Sequence, residues 1–103
     1  MYNVNLLLYI WDSQTLEKSK NWAVAFKKIE MPFIPIIGLE IGFALERDQK
    51  IKSIKWNMDN KSFSCTLENE YSRCGVDDRM FEEWLEYYKD HGWSIEGPYP
   101  KSE

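Results

Sequence analysis

Few side chains in this sequence have the type and spacing that catalysis requires. His91 is the only histidine, so the chain offers neither a histidine pair for acid–base catalysis nor a histidine cluster for zinc. Cys74 and His91 could in principle form a nucleophile–base pair, but nothing in their spacing supports one. Asp77 and Asp78 are neighbours that would point in different directions on a helix, which makes them a poor acid–base pair. We therefore expect no catalytic residues.

Motifs for cofactors and metals are missing from the sequence as well. Five scattered glycines form no phosphate-binding loop, and no Asp-x-Asp-x-Asp calcium loop occurs. The two cysteines are too few for a disulfide framework. Cys65 is expected to be a buried free thiol in a reducing compartment, and a Cys65–Cys74 bridge is the alternative. We expect a protein that is not an enzyme and that binds neither a cofactor nor a metal.

The element that would position any functional surface is a three-stranded meander over residues 39–67. Apolar and polar residues alternate there with a period of two, as in a sheet with one buried face. Two-residue turns are expected at 48–49 and at 60–61, because both keep apolar residues opposite each other on one face. Longer loops are the alternative at either turn, because Asp48, Gln49 and Lys61 are less suited to a tight turn. The pairs that this register predicts include Ile41 with Trp56, Trp56 with Cys65, and Met58 with Phe63.

A single amphipathic helix is predicted over residues 77–91. Asp77 or Asp78 could cap its start, and Gly92 follows its last turn, where glycine commonly ends a helix. Four large apolar residues recur at helical spacing and form one stripe. The residues of this stripe are Phe81, Trp84, Leu85 and Tyr88.

The sequence predicts a single α+β domain over residues 1–103. Its antiparallel sheet would have four to five strands, made of the meander and of strands over 3–11 and 22–29. Residues 93–96 are either a short last strand or an extended tail. The C-terminal helix would pack on the apolar face of the meander. A chain of 103 residues with 44% hydrophobic residues can bury the core that this arrangement needs.

Acidic residues on the outer face of the predicted helix form the first candidate for a protein-binding surface. They recur at every fourth position, where like charges repel one another. Because this repulsion is unfavourable, the row indicates a binding surface for an electropositive partner. A solvated face that keeps the protein soluble is the alternative interpretation. The residues of this acidic row are Asp78, Glu82, Glu86 and Asp90.

The segment 31–38 is the second candidate, because it is almost wholly apolar but contains two prolines that forbid a regular central strand. One interpretation is an extended connector that covers the open end of the core. The other is an exposed apolar ridge that binds a partner through Phe33, Ile34 and Ile36.

The charge distribution argues against general nucleic-acid binding. The net charge is −4, and residues 59–103 contain eleven acidic and five basic side chains. A nucleic-acid surface needs clustered cations. Residues 1–58 are mildly basic and include Trp22 and Phe26, which leaves single-stranded nucleic acid as an alternative ligand. The apolar stretch 4–11 is too short to span a bilayer and has no features of a targeting segment.

These observations predict a small acidic, non-catalytic protein-binding module that works in the cytoplasm. An immunity protein, an inhibitor encoded by a mobile element and a small adaptor all fit this description. A single-stranded nucleic-acid binder or a small-ligand binder that uses the sheet face is the alternative. A homo-oligomer that uses the apolar segment is compatible with either, and no membrane partner is expected.

Overall fold

The computed structural model describes residues 1–43, 47–72 and 79–101, which contain seven strands and one helix. The elements are β1 (Tyr2–Trp11), β2 (Asn21–Met31), β3 (Glu40–Ile41), β4 (Gln49–Asn57), β5 (Ser62–Leu67), β6 (Glu70–Tyr71), α1 (Phe81–Asp90) and β7 (Ser94–Pro100). The sheet is mostly antiparallel, with strand order β3-β4-β5-β1-β2-β7 and with β6 beside β1. The α+β class is therefore as predicted, and the expectation of four to five strands is an undercount.

The undercount has a local cause in β6 and β7. A two-residue strand such as β6 is too short for any periodic pattern to reveal. The strand β7 contains Pro98 and Pro100, which normally argue against a strand. It lies at the end of the strand order, and an edge position tolerates residues that cannot donate to a neighbour.

The first strand, β1, lies inside the sheet between β5 and β2. It has apolar side chains on both faces, as strands covered on both sides do. It pairs in parallel with β5, where Val4 lies opposite Phe63 and Leu6 lies opposite Cys65. It also pairs in parallel with β6, where Ile10 lies opposite Glu70. Residues 4–7 of β1 therefore pair with β5, and its last two residues pair with β6.

The chain divides into two compact units, and the strands β1 and β2 each have residues in both. Unit 1 contains Met1–Leu7 and Phe26–Glu68, and unit 2 contains Leu8–Ala25 and Asn69–Glu103. The single domain over residues 1–103 stays a prediction. Side chains no more than 1% exposed form the core of unit 1: Val4, Leu6, Ile51, Cys65 and Leu67. The largest fully buried side chains of unit 2 are Leu8, Ile10, Trp84 and Tyr88.

The register predicted for the second hairpin of the meander is wrong by two residues. Trp56 lies opposite Phe63, and Asn57 lies opposite Ser62. The residues between the paired strands are therefore 58–61 rather than a two-residue turn at 60–61. A shift of two residues leaves each side chain on the same face of the sheet, so the alternation of apolar residues cannot detect it.

The first hairpin differs more strongly from the prediction. The strand β3 has only two residues, and Ile41 pairs with Gln49 instead of Trp56. Gln49 belongs to β4, so the predicted turn at 48–49 is wrong. The predicted strand residues 44–46 lie outside the described residues.

The helix α1 begins at Phe81, four residues later than predicted, with Met80 as its N-cap. The proposed caps Asp77 and Asp78 lie outside the described residues. The Met80 N–H donates to Glu83 Oε1 at 3.1 Å, which satisfies one donor at the N-terminus.

The predicted end of α1 is confirmed. Gly92 has a φ of +88°, its N–H donates to Lys89 O, and the Trp93 N–H donates to Tyr88 O. These two bonds form a Schellman motif, completed by ring contact between Tyr88 and Trp93 at 5.5 Å. The described contacts of α1 lie within unit 2, so its packing on the meander stays a prediction.

Candidate protein-binding surface

The apolar segment between β2 and β3 is exposed, which favours the ridge over the buried connector. Four large apolar side chains are half to two-thirds open to solvent, whereas Pro35 between them is buried. Exposed apolar side chains that follow one another are uncommon on a monomer and often mark a binding surface. These four side chains are named here the apolar ridge: Phe33 (48% exposed), Ile34 (54%), Ile36 (64%) and Ile37 (65%).

Backbone contacts hold the apolar ridge in place. Gly38 has a φ of +90°, a conformation that glycine adopts without the steric cost of a Cβ atom. The Leu39 N–H donates to Ile36 O at 3.1 Å and closes a turn. The Gly38 N–H donates to Ile51 O at 2.7 Å, and the Ile51 N–H donates to Leu39 O at 2.9 Å, so the turn is fastened to β4.

The acidic row is solvent-facing where the structure describes it. Glu82, Glu86 and Asp90 are all exposed on α1, and Asp78 lies outside the described residues. Glu86 Oε1 lies 4.0 Å from Lys89 Nζ, and an exposed ion pair of this kind contributes little to the free energy of unfolding. The acidic row belongs to unit 2 and the apolar ridge to unit 1, so each is a candidate surface of its own.

Four aromatic side chains of unit 2 form a cluster that the sequence analysis did not find. Ring centroids lie 5.8 Å apart for Tyr9–Trp22, 6.3 Å for Trp11–Trp22 and 5.1 Å for Trp22–Tyr99. Tyr9 and Trp11 share one face of β1, which the alternation does reveal. The contribution of Tyr99 depends on β7, whose length was not predicted. Tyr9, Trp11, Trp22 and Tyr99 are together called the aromatic cluster.

A polar cavity of about 580 Å³ opens on unit 1. Its walls come from β1, β2, β5 and the turn before β5. The polar residues that the sequence places on the back of the meander are not among those that line the cavity, and no sequence pattern joins β1 and β2 to the turn before β5. These back residues are Ser53, Lys55, Asn57, Ser64 and Thr66. The lining residues are Asn3, Val4, Asn5, Lys28, Ile29, Glu30, Asn60 and Ser62.

The side chains with potential chemistry are not brought together among the described residues. His91 Nδ1 lies 2.7 Å from Tyr87 O, and its ring packs against that of Tyr87 at 4.5 Å. Cys65 is buried and free, as predicted, and burial raises the pKa of its thiol, which opposes formation of a nucleophilic thiolate. Cys74 lies outside the described residues. Across 1–43, 47–72 and 79–101, no three His, Cys, Asp or Glu side chains form a group suited to a metal.

Comparison with known proteins identifies no relative. No family model, no curated protein and no solved structure matches the chain. Within the described residues, no helix has the length and apolar character needed to cross a membrane.

Proposed function

We propose that this chain is a non-catalytic protein-binding module whose main contact surface is the apolar ridge. The observation that carries the proposal is the exposure of four neighbouring large apolar side chains directly before Gly38 and Leu39, whose backbones are hydrogen-bonded to Ile51 of β4. An immunity protein, a mobile-element inhibitor and an adaptor remain the proposed roles for such a module.

The exposed ridge can supply a useful part of a binding free energy. Full burial of a large apolar side chain contributes about 1.5–3 kcal/mol, so covering the exposed fractions of these four side chains would contribute about 3.5–7 kcal/mol. The turn that the Leu39 N–H closes on Ile36 O, and the bonds of Gly38 and Leu39 to Ile51, already hold the C-terminal end of the ridge, which lowers the backbone entropy lost there when a partner binds.

The prolines of the segment constrain the way in which a partner binds. Pro32 and Pro35 have no N–H, so the segment cannot offer a continuous strand edge to a neighbouring chain. Recognition must therefore depend on side chains that enter apolar pockets of the partner. A standard interface covers about 800 Å² on each protein, so further polar residues must surround the ridge in the complex.

Site-specific photo-crosslinking in the native cell tests the proposal. A photoreactive phenylalanine analogue at position 36 should give a discrete adduct with another protein. The matched control is the same analogue at Met58, an exposed apolar residue of unit 1 outside the ridge. The adduct should disappear when Ile37→Asp is added. Absence of any adduct at position 36, or an identical adduct at position 58, would contradict the proposal.

The aromatic cluster favours single-stranded nucleic acid as a second candidate function. Exposed rings stack on bases without regard to sequence, and Tyr99 is 42% exposed. Lys20 and Lys101 lie two residues from Trp22 and Tyr99 in the sequence, and the Lys101 N–H donates to Lys20 O at 2.8 Å. The Lys101 ammonium donates to Leu16 O, so Lys20 is the cation of this pair that is open to a phosphate. Filter binding of an oligothymidylate at low and high salt, with Tyr99→Ala for comparison, tests this function. Absence of binding at low salt would exclude it.

A further inference from the structure

We propose that the polar cavity of unit 1 binds a small neutral polyhydroxylated molecule, such as a monosaccharide or disaccharide. This site is independent of the apolar ridge and of the aromatic cluster. Its volume of about 580 Å³ falls within the roughly 300–1,000 Å³ that small-molecule sites occupy.

Ser62 is the centre of the hydrogen-bond network in the cavity wall, and it is only 5% exposed. Its hydroxyl donates to Asn60 Oδ1 at 2.6 Å, which uses its single proton. The contacts of Ser62 Oγ with Asn5 Nδ2 at 3.3 Å and with Asn57 Nδ2 at 3.4 Å must therefore be donated by the amides. With Asn60 Oδ1 as the acceptor, this count of protons fixes the orientation of the Asn5 and Asn57 amide groups.

The fixed amides leave hydrogen-bonding groups available to a ligand. Asn5 donates to Ser62 through Nδ2, so its Oδ1 remains an acceptor, and Asn60 accepts through Oδ1, so its Nδ2 remains a donor. The side chains of Asn3, Lys28 and Glu30 make no hydrogen bond or ion pair among the described residues. The cavity thus presents both donors and acceptors that have no partner among the residues that the structure describes.

The balance of these groups selects the chemical class of the ligand. One lysine and one glutamate line the cavity, so its formal charge is zero and neither a phosphate nor a simple cation is favoured. A hydroxyl group both donates and accepts, so neighbouring hydroxyls of a sugar match a wall of mixed amides and opposite charges.

Most of the lining residues lie on strands, which hold them at fixed separations. Asn5 lies on β1, Lys28 and Glu30 lie on β2, and Ser62 begins β5. Side chains placed on regular elements keep a binding geometry better than side chains on loops. The wall is therefore largely preformed for a ligand.

Saturation-transfer NMR with defined sugars tests this site. The probes are glucose, galactose, N-acetylglucosamine and trehalose, each up to about 10 mM, which is tenfold above a dissociation constant of about 1 mM. We expect at least one sugar to receive transfer and to bind about tenfold more weakly to Glu30→Ala and to Asn5→Ala, because each variant removes a hydrogen-bonding group. Glu30 is exposed, so its variant should fold even if Asn5→Ala does not.

Two controls separate this site from the proposed protein-binding surface. Lys50→Met removes an exposed lysine outside the cavity, and Ile36→Asp alters the apolar ridge, so neither should change sugar binding. Three results would overturn the proposal: no sugar binds, inorganic phosphate or glycine binds instead, or sugar binding is unaffected by Glu30→Ala.

Discussion

The buried contact between Tyr88 and Glu70 gives a quantitative test of how unit 2 is stabilised. Tyr88 is fully buried and its hydroxyl donates to Glu70 Oε1 at 2.6 Å, while Glu70 is only 8% exposed. Tyr88→Phe removes this hydroxyl and retains the ring, which packs against Trp84 at 5.7 Å and Trp93 at 5.5 Å. The substitution therefore isolates one hydrogen bond from the surrounding apolar packing.

The expected loss in the free energy of unfolding is about 1–3 kcal/mol, because Tyr88→Phe removes a hydrogen bond to a buried acceptor. Urea unfolding followed by tryptophan fluorescence measures the loss, with an unchanged m-value showing that the folded state is intact.

A double-mutant cycle with Glu70→Gln then separates the pair from other effects of each substitution. The Tyr88–Glu70 coupling should be at least 0.5 kcal/mol, as for residues in direct contact. A loss below about 0.5 kcal/mol for Tyr88→Phe, with coupling near zero, would refute the assignment of this bond as a stabilising contact.

Three further predictions concern burial and charge. Trp84→Ala should lower the free energy of unfolding by about 3–5 kcal/mol in a thermal melt, because Trp84 has no exposed surface; a nearly unchanged melt would contradict the packing. With Cys74→Ser as background, Cys65 should react with a thiol reagent only after unfolding. The free energy of unfolding should also fall as pH rises above the ordinary thiol pKa of 9.0. Burial raises the pKa of Cys65 in the folded state, so the thiol of the unfolded chain loses its proton first. Rapid labelling of the native protein would contradict this. Glu82→Lys with Glu86→Lys should slow association with the crosslinked partner at low salt and weaken its salt dependence, whereas unchanged rates would remove the acidic row as a contact surface.

The faces of most strands and the antiparallel neighbours of the meander could be predicted from the sequence, but the registers of the meander and the parallel pairing of β1 could not. Alternation correctly places Cys65 and Leu67 on a buried face. It fails for Trp56, which is 45% exposed, because alternation does not show where along a strand the core ends. The parallel pairing of β1 with β5 joins residues far apart in the sequence, and no local pattern encodes such a contact.

The candidate sites show the same division between local and tertiary information. The composition of 31–38 fits both a buried connector and an exposed ridge, so only the folded chain distinguishes them. The wall of the polar cavity joins Asn5, Lys28 and Ser62 from three strands, and their proximity depends on strand order. The end of α1 was predictable because Gly92 acts within one turn.

The affinity of the crosslinked partner for ridge variants tests the central claim most directly. Isothermal titration should give a dissociation constant at least about 100-fold higher for Ile36→Asp with Ile37→Asp than for the unchanged chain, because two charges would enter an apolar interface. Met58→Asp, which places a charge at an exposed apolar residue outside the ridge, should bind as the unchanged chain does. Equal dissociation constants for the unchanged chain and the double ridge variant would contradict the account.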